Sequence, residues 1–153
     1  MRELLAFVDS LPWSEVAHAY GDSHDAPKEL RRLLSDDEDE RFDAICGFLL
    51  GAIVHQHTIY PATPLVMQSV IKILECGRVN VWSSGFGDSM ASQLLSFLSQ
   101  CMQSGQGSMC GNPHPYFPTV ESIVEQKVAL FHAFAKHEDV EVRAEAQLLL
   151  KWC

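Results

Sequence analysis

Apolar residues recur at spacings of three and four along most of the chain, the period of amphipathic helices. The clearest face is Ala91, Leu94, Leu95, Leu98, Cys101 and Met102, opened by Asp88 or Ser89 as a helix cap. Val66, Val70, Ile73 and Leu74 make a second face, which Cys76-Gly77 closes. A third, Val120, Ile123, Val124, Val128, Phe131 and Phe134, reads as one helix capped by Thr119, its start strengthened by Ser122 and Glu125. The last runs from about Glu138 to Trp152 with Val142, Ala146, Leu149 and Leu150 on one side.

Nearer the start, Trp13, Val16, Ala17 and Tyr20 behind Ser14, with Gly21 as a stop, predict a short first helix. Pro27 behind Asp25, followed by Leu30, Leu33 and Leu34, predicts a second. From Asp37 the pattern Phe42, Ile45, Cys46, Leu49, Ala52, Ile53 is helical, and beyond Ala44 it is apolar on every side up to Val54, which predicts a central, fully surrounded helix. His55 to Pro61 interrupts it. Arg78 to Gly87 reads as a packed loop, and Ser104 to Pro118, with Gly105, Gly107, Gly111 and three prolines, as a long irregular connection of the sort that often carries function. The expected fold class is therefore all-α, one domain over residues 1–153, either a HEAT-like α-solenoid or an irregular stack of about six to seven helices.

Composition narrows the function. Apolar residues make up 47% of the chain and charged residues 20%, enough to bury a sizeable core. Only Leu4 to Val8 are apolar before Asp9, too few for a secretory signal, and Ala44 to Val54 is about half of the ~20 residues a membrane span needs. A cytoplasmic protein is expected, with its five cysteines reduced and Cys46 and Cys101 acting as small core hydrophobes. The formal charge of −9 argues against nucleic-acid and anionic-membrane partners and for a cationic one.

Two helix starts match. Asp37 to Ala44 and Asp139 to Ala146 share an acid, an Arg four residues later and an Ala three after that. The acid suits the helix dipole, the Arg covers neighbouring surface and the Ala permits close helix approach. This pattern resembles the second helix of HEAT and armadillo-type repeats. Trp13 to Leu34, with Ala19-Tyr20-Gly21, and His55-Gln56-His57-Thr58-Ile59-Tyr60-Pro61-Ala62-Thr63 are similar to small bacterial HEAT-like proteins carrying Trp…Ala-Tyr-Gly and His-Gln-x-Thr-x-Tyr-x-Ala-Thr stretches. The resemblance covers the first half of the chain best, and Gly77 to Pro118 departs from any regular repeat. It implies a protein-binding module, either an immunity (antitoxin) protein that occludes a basic toxin or a HEAT-like adaptor without one.

No catalytic centre is expected. Gly87-Asp88-Ser89-Met90-Ala91 is a near miss to a nucleophile elbow, which would make a Ser89 hydrolase the remaining enzyme reading, but Asp88 and Ser89 are better explained as a helix cap. The seven histidines fit no compact zinc spacing, so neither metal nor cofactor is expected. The candidate partner-binding residues are the acidic run Asp36, Asp37, Glu38, Asp39 and Glu40, whose number exceeds what one cap needs, and the aromatics Trp82, Phe86, Tyr116 and Phe117, taken as exposed anchors.

Overall fold

The computed structural model describes residues 1–77, 79, 88–107 and 112–153. Among them the chain is mostly helical, and the all-α expectation holds. No helix in this set is long and apolar enough to cross a membrane. In order, the elements are α1 (Arg2–Ser10), a 3-10 turn (Trp13–Glu15), a small antiparallel pair β1 (Ala17–His18) and β2 (Gly21–Asp22), α2 (Ala26–Arg32), α3 (Glu38–Asp43), a π-helical segment (Ala44–Ile53) and a 3-10 turn (His55–His57). Then come α4 (Thr63–Glu75), α5 (Met90–Gly105), α6 (Phe117–Glu125), α7 (Val128–Phe134) and α8 (Val140–Leu149), which ends in a 3-10 turn (Leu150–Trp152).

The core follows the apolar faces read from the sequence. Val66, Val70, Ile73 and Leu74 of α4 and Leu94, Leu95, Leu98 and Met102 of α5 are buried, as are Val142, Ala146 and Leu149 of α8. α5 lies along α8, and α4 packs on α1, α5 and α6. Each fully buried Leu, Ile or Phe contributes about 1.5–3 kcal/mol relative to exposure. Cys101 is sealed in this core, where burial pushes its thiol well above the ordinary range. Cys46 is only partly buried.

Four local expectations are corrected. Residues 13–20 do not form a helix: Trp13 begins a single 3-10 turn, and its indole Nε1–H donates to Val8 O at 2.7 Å, closing α1, a helix the pattern reading omitted. Beyond it the chain extends into β1 and β2, because Gly21 adopts φ +129°, a conformation costly for any residue with a Cβ. The central helix is not surrounded on every side, since Gly47 is exposed, and from Ala44 it winds as a π-helix. A Cβ on Gly51 would lie 2.9 Å from Cys46 O, so glycine permits this winding. Third, Thr119 lies inside α6 and caps nothing; the helix starts at Phe117 with Pro118 in its first turn. Fourth, the single helix expected from Thr119 to Phe134 is broken at Gln126 and Lys127 into α6 and α7.

Candidate functional site

The two stretches that carry the sequence resemblance meet in space. Ala19 N–H donates to Ala52 O at 3.1 Å and Ala62 N–H to Ala17 O at 3.0 Å, docking the β1–β2 hairpin onto the end of the π segment and the turn before α4. Thr63 Oγ1 donates to Ile53 O at 3.1 Å and accepts from Tyr60 N–H at 2.9 Å, satisfying a carbonyl that the helix end would otherwise leave bare. Gln56 and His57 both hold positive φ, 50° and 57°, unusual for residues other than glycine.

His18 is buried at the centre of this junction, 8% exposed. Its Nδ1 accepts from Tyr20 N–H at 3.1 Å, so the ring proton sits on Nε2, which donates to Asp25 Oδ1 at 3.1 Å. Asp25 precedes α2 but makes no side-chain cap there; its carboxylate is turned to the imidazole instead. The Phe48 ring stands edge-on to His18 at 6.3 Å. Tyr20 is 71% exposed, an unusual degree for a large aromatic. Its hydroxyl oxygen lies 3.4 Å from His55 Nδ1, whose proton is given mainly to Gly51 O at 2.9 Å.

Between the hairpin, α2 and the π segment runs an open groove of about 210 Å³. Gly47, Phe48 and Ala52 line its apolar side, and Asp25, Glu29, Arg32 and Asp43 its polar side. Arg32 donates to Glu29 Oε2 and to Asp43 Oδ2, both at 2.9 Å, and these bonds, the Glu29 one foremost, hold its guanidinium still more firmly protonated. Two carboxylates thus share one guanidinium, while Asp25 is paired with His18. The groove is continuous with the acidic run, because Asp39 and Asp43, four residues apart on α3, lie on one side of the helix. Asp36 to Glu40 are all exposed, and Asp37 also caps α3 by accepting from Asp39 N–H at 2.9 Å and Glu40 N–H at 3.4 Å. No family model, curated protein or solved structure matches the chain.

The aromatic candidates fare differently from the acids. Phe117 is buried rather than exposed: its ring fits against Gly105, where a Cβ would come within 2.9 Å of it, and meets Trp152 edge-on at 6.2 Å. Tyr116 is half-buried beside His114. Trp82 and Phe86 lie outside the described residues. Among the described candidates, the five acids are exposed together at the start of α3, while Phe117 is withdrawn into the core. What the structure adds is Tyr20, which the helical reading of residues 13–20 concealed, together with Asp25, Glu29 and Asp43. The clue in the sequence was an aromatic directly before a glycine, since that pair suits a tight turn as well as a helix end.

Ser89 caps α5, its Oγ accepting from Ser92 N–H at 3.1 Å, while Gly87 of the near-miss motif lies outside the described residues. Among the described residues no three His, Cys, Asp or Glu side chains converge as metal ligands would. A second acidic patch lies between α5 and α8, where Asp88, Glu141 and Glu145 line a crevice of about 300 Å³. Repulsion from Asp88 raises the Glu141 carboxyl above its ordinary range. A contrasting basic spot sits between α4 and α6. Burial there opposes ionisation of Glu75, but Lys127 and Lys72 together hold its carboxyl below the ordinary range.

Proposed function

We propose that this chain is a protein-binding module for a basic partner, working by occlusion, and that it is an immunity-type protein whose partner is a cationic toxin. One observation carries the reading: a carboxylate-rich groove with an exposed tyrosine on its rim, continuous with five exposed acids at the start of α3. Such a surface divides the work of association. The excess charge accelerates encounter and sets specificity, while an aromatic entering a desolvated contact supplies affinity. The toxin assignment rests on the resemblance to small bacterial HEAT-like proteins and extends the charge argument.

The test takes the partner that co-purifies from the native cell and measures binding kinetics at low and high salt. Asp39→Lys should slow association at low salt, with the difference shrinking as screening sets in over a Debye length of about 10 Å at 0.1 M. Tyr20→Ala should leave association nearly unchanged and hasten dissociation. A partner whose association with the Asp39→Lys variant equals wild type at low salt would remove this face from the interface. A partner without toxic activity would leave the module and discard the immunity assignment.

A further inference from the structure

We propose that the groove face carries a pH switch, with His18 as its sensor and the Tyr20 hairpin as the part that moves. The inference rests on the reading of the groove as the partner face for its biological use, but the switch itself belongs to the free protein. The two hydrogen bonds of His18 can coexist in one protonation state only. Tyr20 N–H is a donor without alternative, so Nδ1 must be a bare acceptor, and the neutral ring carries its proton on Nε2 toward Asp25. A second proton can go nowhere but Nδ1, and there it faces the Tyr20 amide hydrogen across a 3.1 Å contact. Two donors then oppose each other.

The surroundings decide which contact yields. The charged groups around the ring are Asp25, in contact with Nε2, and farther along the groove Glu29 of α2 and Asp43 of α3. Arg32 lies among them, bonded to Glu29 and Asp43. From the π segment Phe48 presents only a ring edge, and His55 stands beyond Tyr20. Protonation turns the Asp25 contact into a charge-assisted bond and the Tyr20 contact into a repulsion, so the turn gives way and the imidazole stays. What resists the movement is the edge-on contact of the Tyr20 ring with His55 at 5.4 Å and with His18 at 6.3 Å, both at the rim of the groove. The hairpin has two residues in each strand, the Tyr20 side chain is largely in solvent, and the contact with His55 is long at 3.4 Å. The Ala19 N–H bond to Ala52 O keeps the displacement local. In the acid state the tyrosine leaves the rim and the groove gains one positive charge, and both changes disfavour a cationic partner.

Proton–nitrogen NMR on the free protein between about pH 8 and pH 5, the interval in which imidazoles titrate, tests the switch. At the upper end the His18 ring should show the tautomer protonated at Nε2. As the ring takes its second proton, the Tyr20 amide should lose its hydrogen-bonded shift and exchange faster with water, with the same midpoint as the imidazole. His18→Asn keeps an acceptor at the position of Nδ1 without a titrating group, so its Tyr20 amide should be insensitive to pH over this interval. A ring protonated at Nδ1 at pH 8 overturns the proposal, as does a Tyr20 amide that ignores the titration of the wild-type ring; both are read on wild type, whether or not the variant folds. A partner bound equally on both sides of the midpoint, while Tyr20 moves, would support the switch and overturn the assignment of the groove as the partner face.

Discussion

At Asp37 and at Asp139 one set of contacts starts a helix. Each aspartate accepts from the amides two and three residues on, at 2.9 and 3.4 Å at Asp37 and at 2.8 and 3.3 Å at Asp139. Two residues before each, a side-chain acceptor receives the aspartate's own amide, Ser35 Oγ at 3.1 Å and His137 Nδ1 at 3.2 Å. Four residues after each, an arginine reaches back to the carbonyl of that same residue, Arg41 to Ser35 O and Arg143 to His137 O, both at 2.7 Å. Three further on, Ala44 and Ala146 are fully buried. From there the two helices part. The one begun at Asp139 stays regular and seals the core against α5, whereas the one begun at Asp37 widens into the π segment that floors the groove. A shared cap fixes how a helix begins and says nothing of its later winding. That depends on Gly51, which lets Cys46 O come close, and on outside donors such as Ala19 N–H and Thr63 Oγ1 that take up its last carbonyls.

The two glycines of the π segment should therefore respond to alanine in opposite ways. Gly51→Ala places a Cβ against backbone, and overpacking of this kind costs about 1–3 kcal/mol. Gly47 has open space where its Cβ would stand, so Gly47→Ala should stabilise by about 0.4–1 kcal/mol through a less flexible unfolded chain. Urea melts of both variants decide the matter. A neutral Gly51→Ala would mean that glycine is not what permits the π winding.

The pattern of apolar positions was sufficient for α4, α5 and α8 because burial along each follows the helical period: α8 buries one face, and α5 leaves only the stripe of Gln93, Ser96, Gln100 and Gln103 less buried. It failed at residues 13–20, where Trp13, Val16 and Tyr20 have helical spacing but the backbone bonds of the hairpin go to Ala52 and Ala62, partners distant in sequence. The break between α6 and α7 has no glycine or proline to announce it. Phe117 looked like an anchor only because the opening for its ring is the missing side chain of Gly105, again a distant residue. The acids of the site were half legible: the run at Asp36 to Glu40 stood out, while Glu29 and Asp43 look unremarkable until α2 and α3 bring them together around Arg32, and Asp25 until the hairpin sets His18 against it.

Removing the caps should sharpen the comparison with a smaller effect. Asp37→Ala and Asp139→Ala should each cost about 1 kcal/mol, as lost side-chain caps do. For Asp139 the loss has a defined pH dependence. Its carboxyl is held below the ordinary range, first by the Glu141 amide and further by that of Val142. Its contribution is complete above the unfolded carboxyl range and fades as pH falls through the lowered folded value. Thermal melts of wild type and Asp139→Ala should thus converge in acid; a gap that persists at the lowest pH would assign the effect to packing.

The smallest effect is expected at Glu141, one residue into the first turn of α8. Because Asp88 raises its carboxyl, the folded state holds that proton more tightly than the unfolded state, and stability declines as pH rises through the folded value. Glu141→Gln should raise the melting temperature slightly at neutral pH and leave it unchanged in acid. A lowered melting temperature at neutral pH would show that the charge at 141 serves the helix dipole more than it suffers from Asp88.

The π segment also bears on how this chain can change in length. A π turn is an α turn with one residue to spare, since its hydrogen bonds close over five residues rather than four. In α4 or α5 the loss of one residue would rotate everything downstream by about 100° and carry each buried side chain off its face. Between Ala44 and Ile53 the same loss can be absorbed by tightening the coil, with Asp37 still in place at one end and Thr63 at the other. The floor of the groove is thus where the loss of one residue can be accepted with the contacts at both ends of the segment still in place.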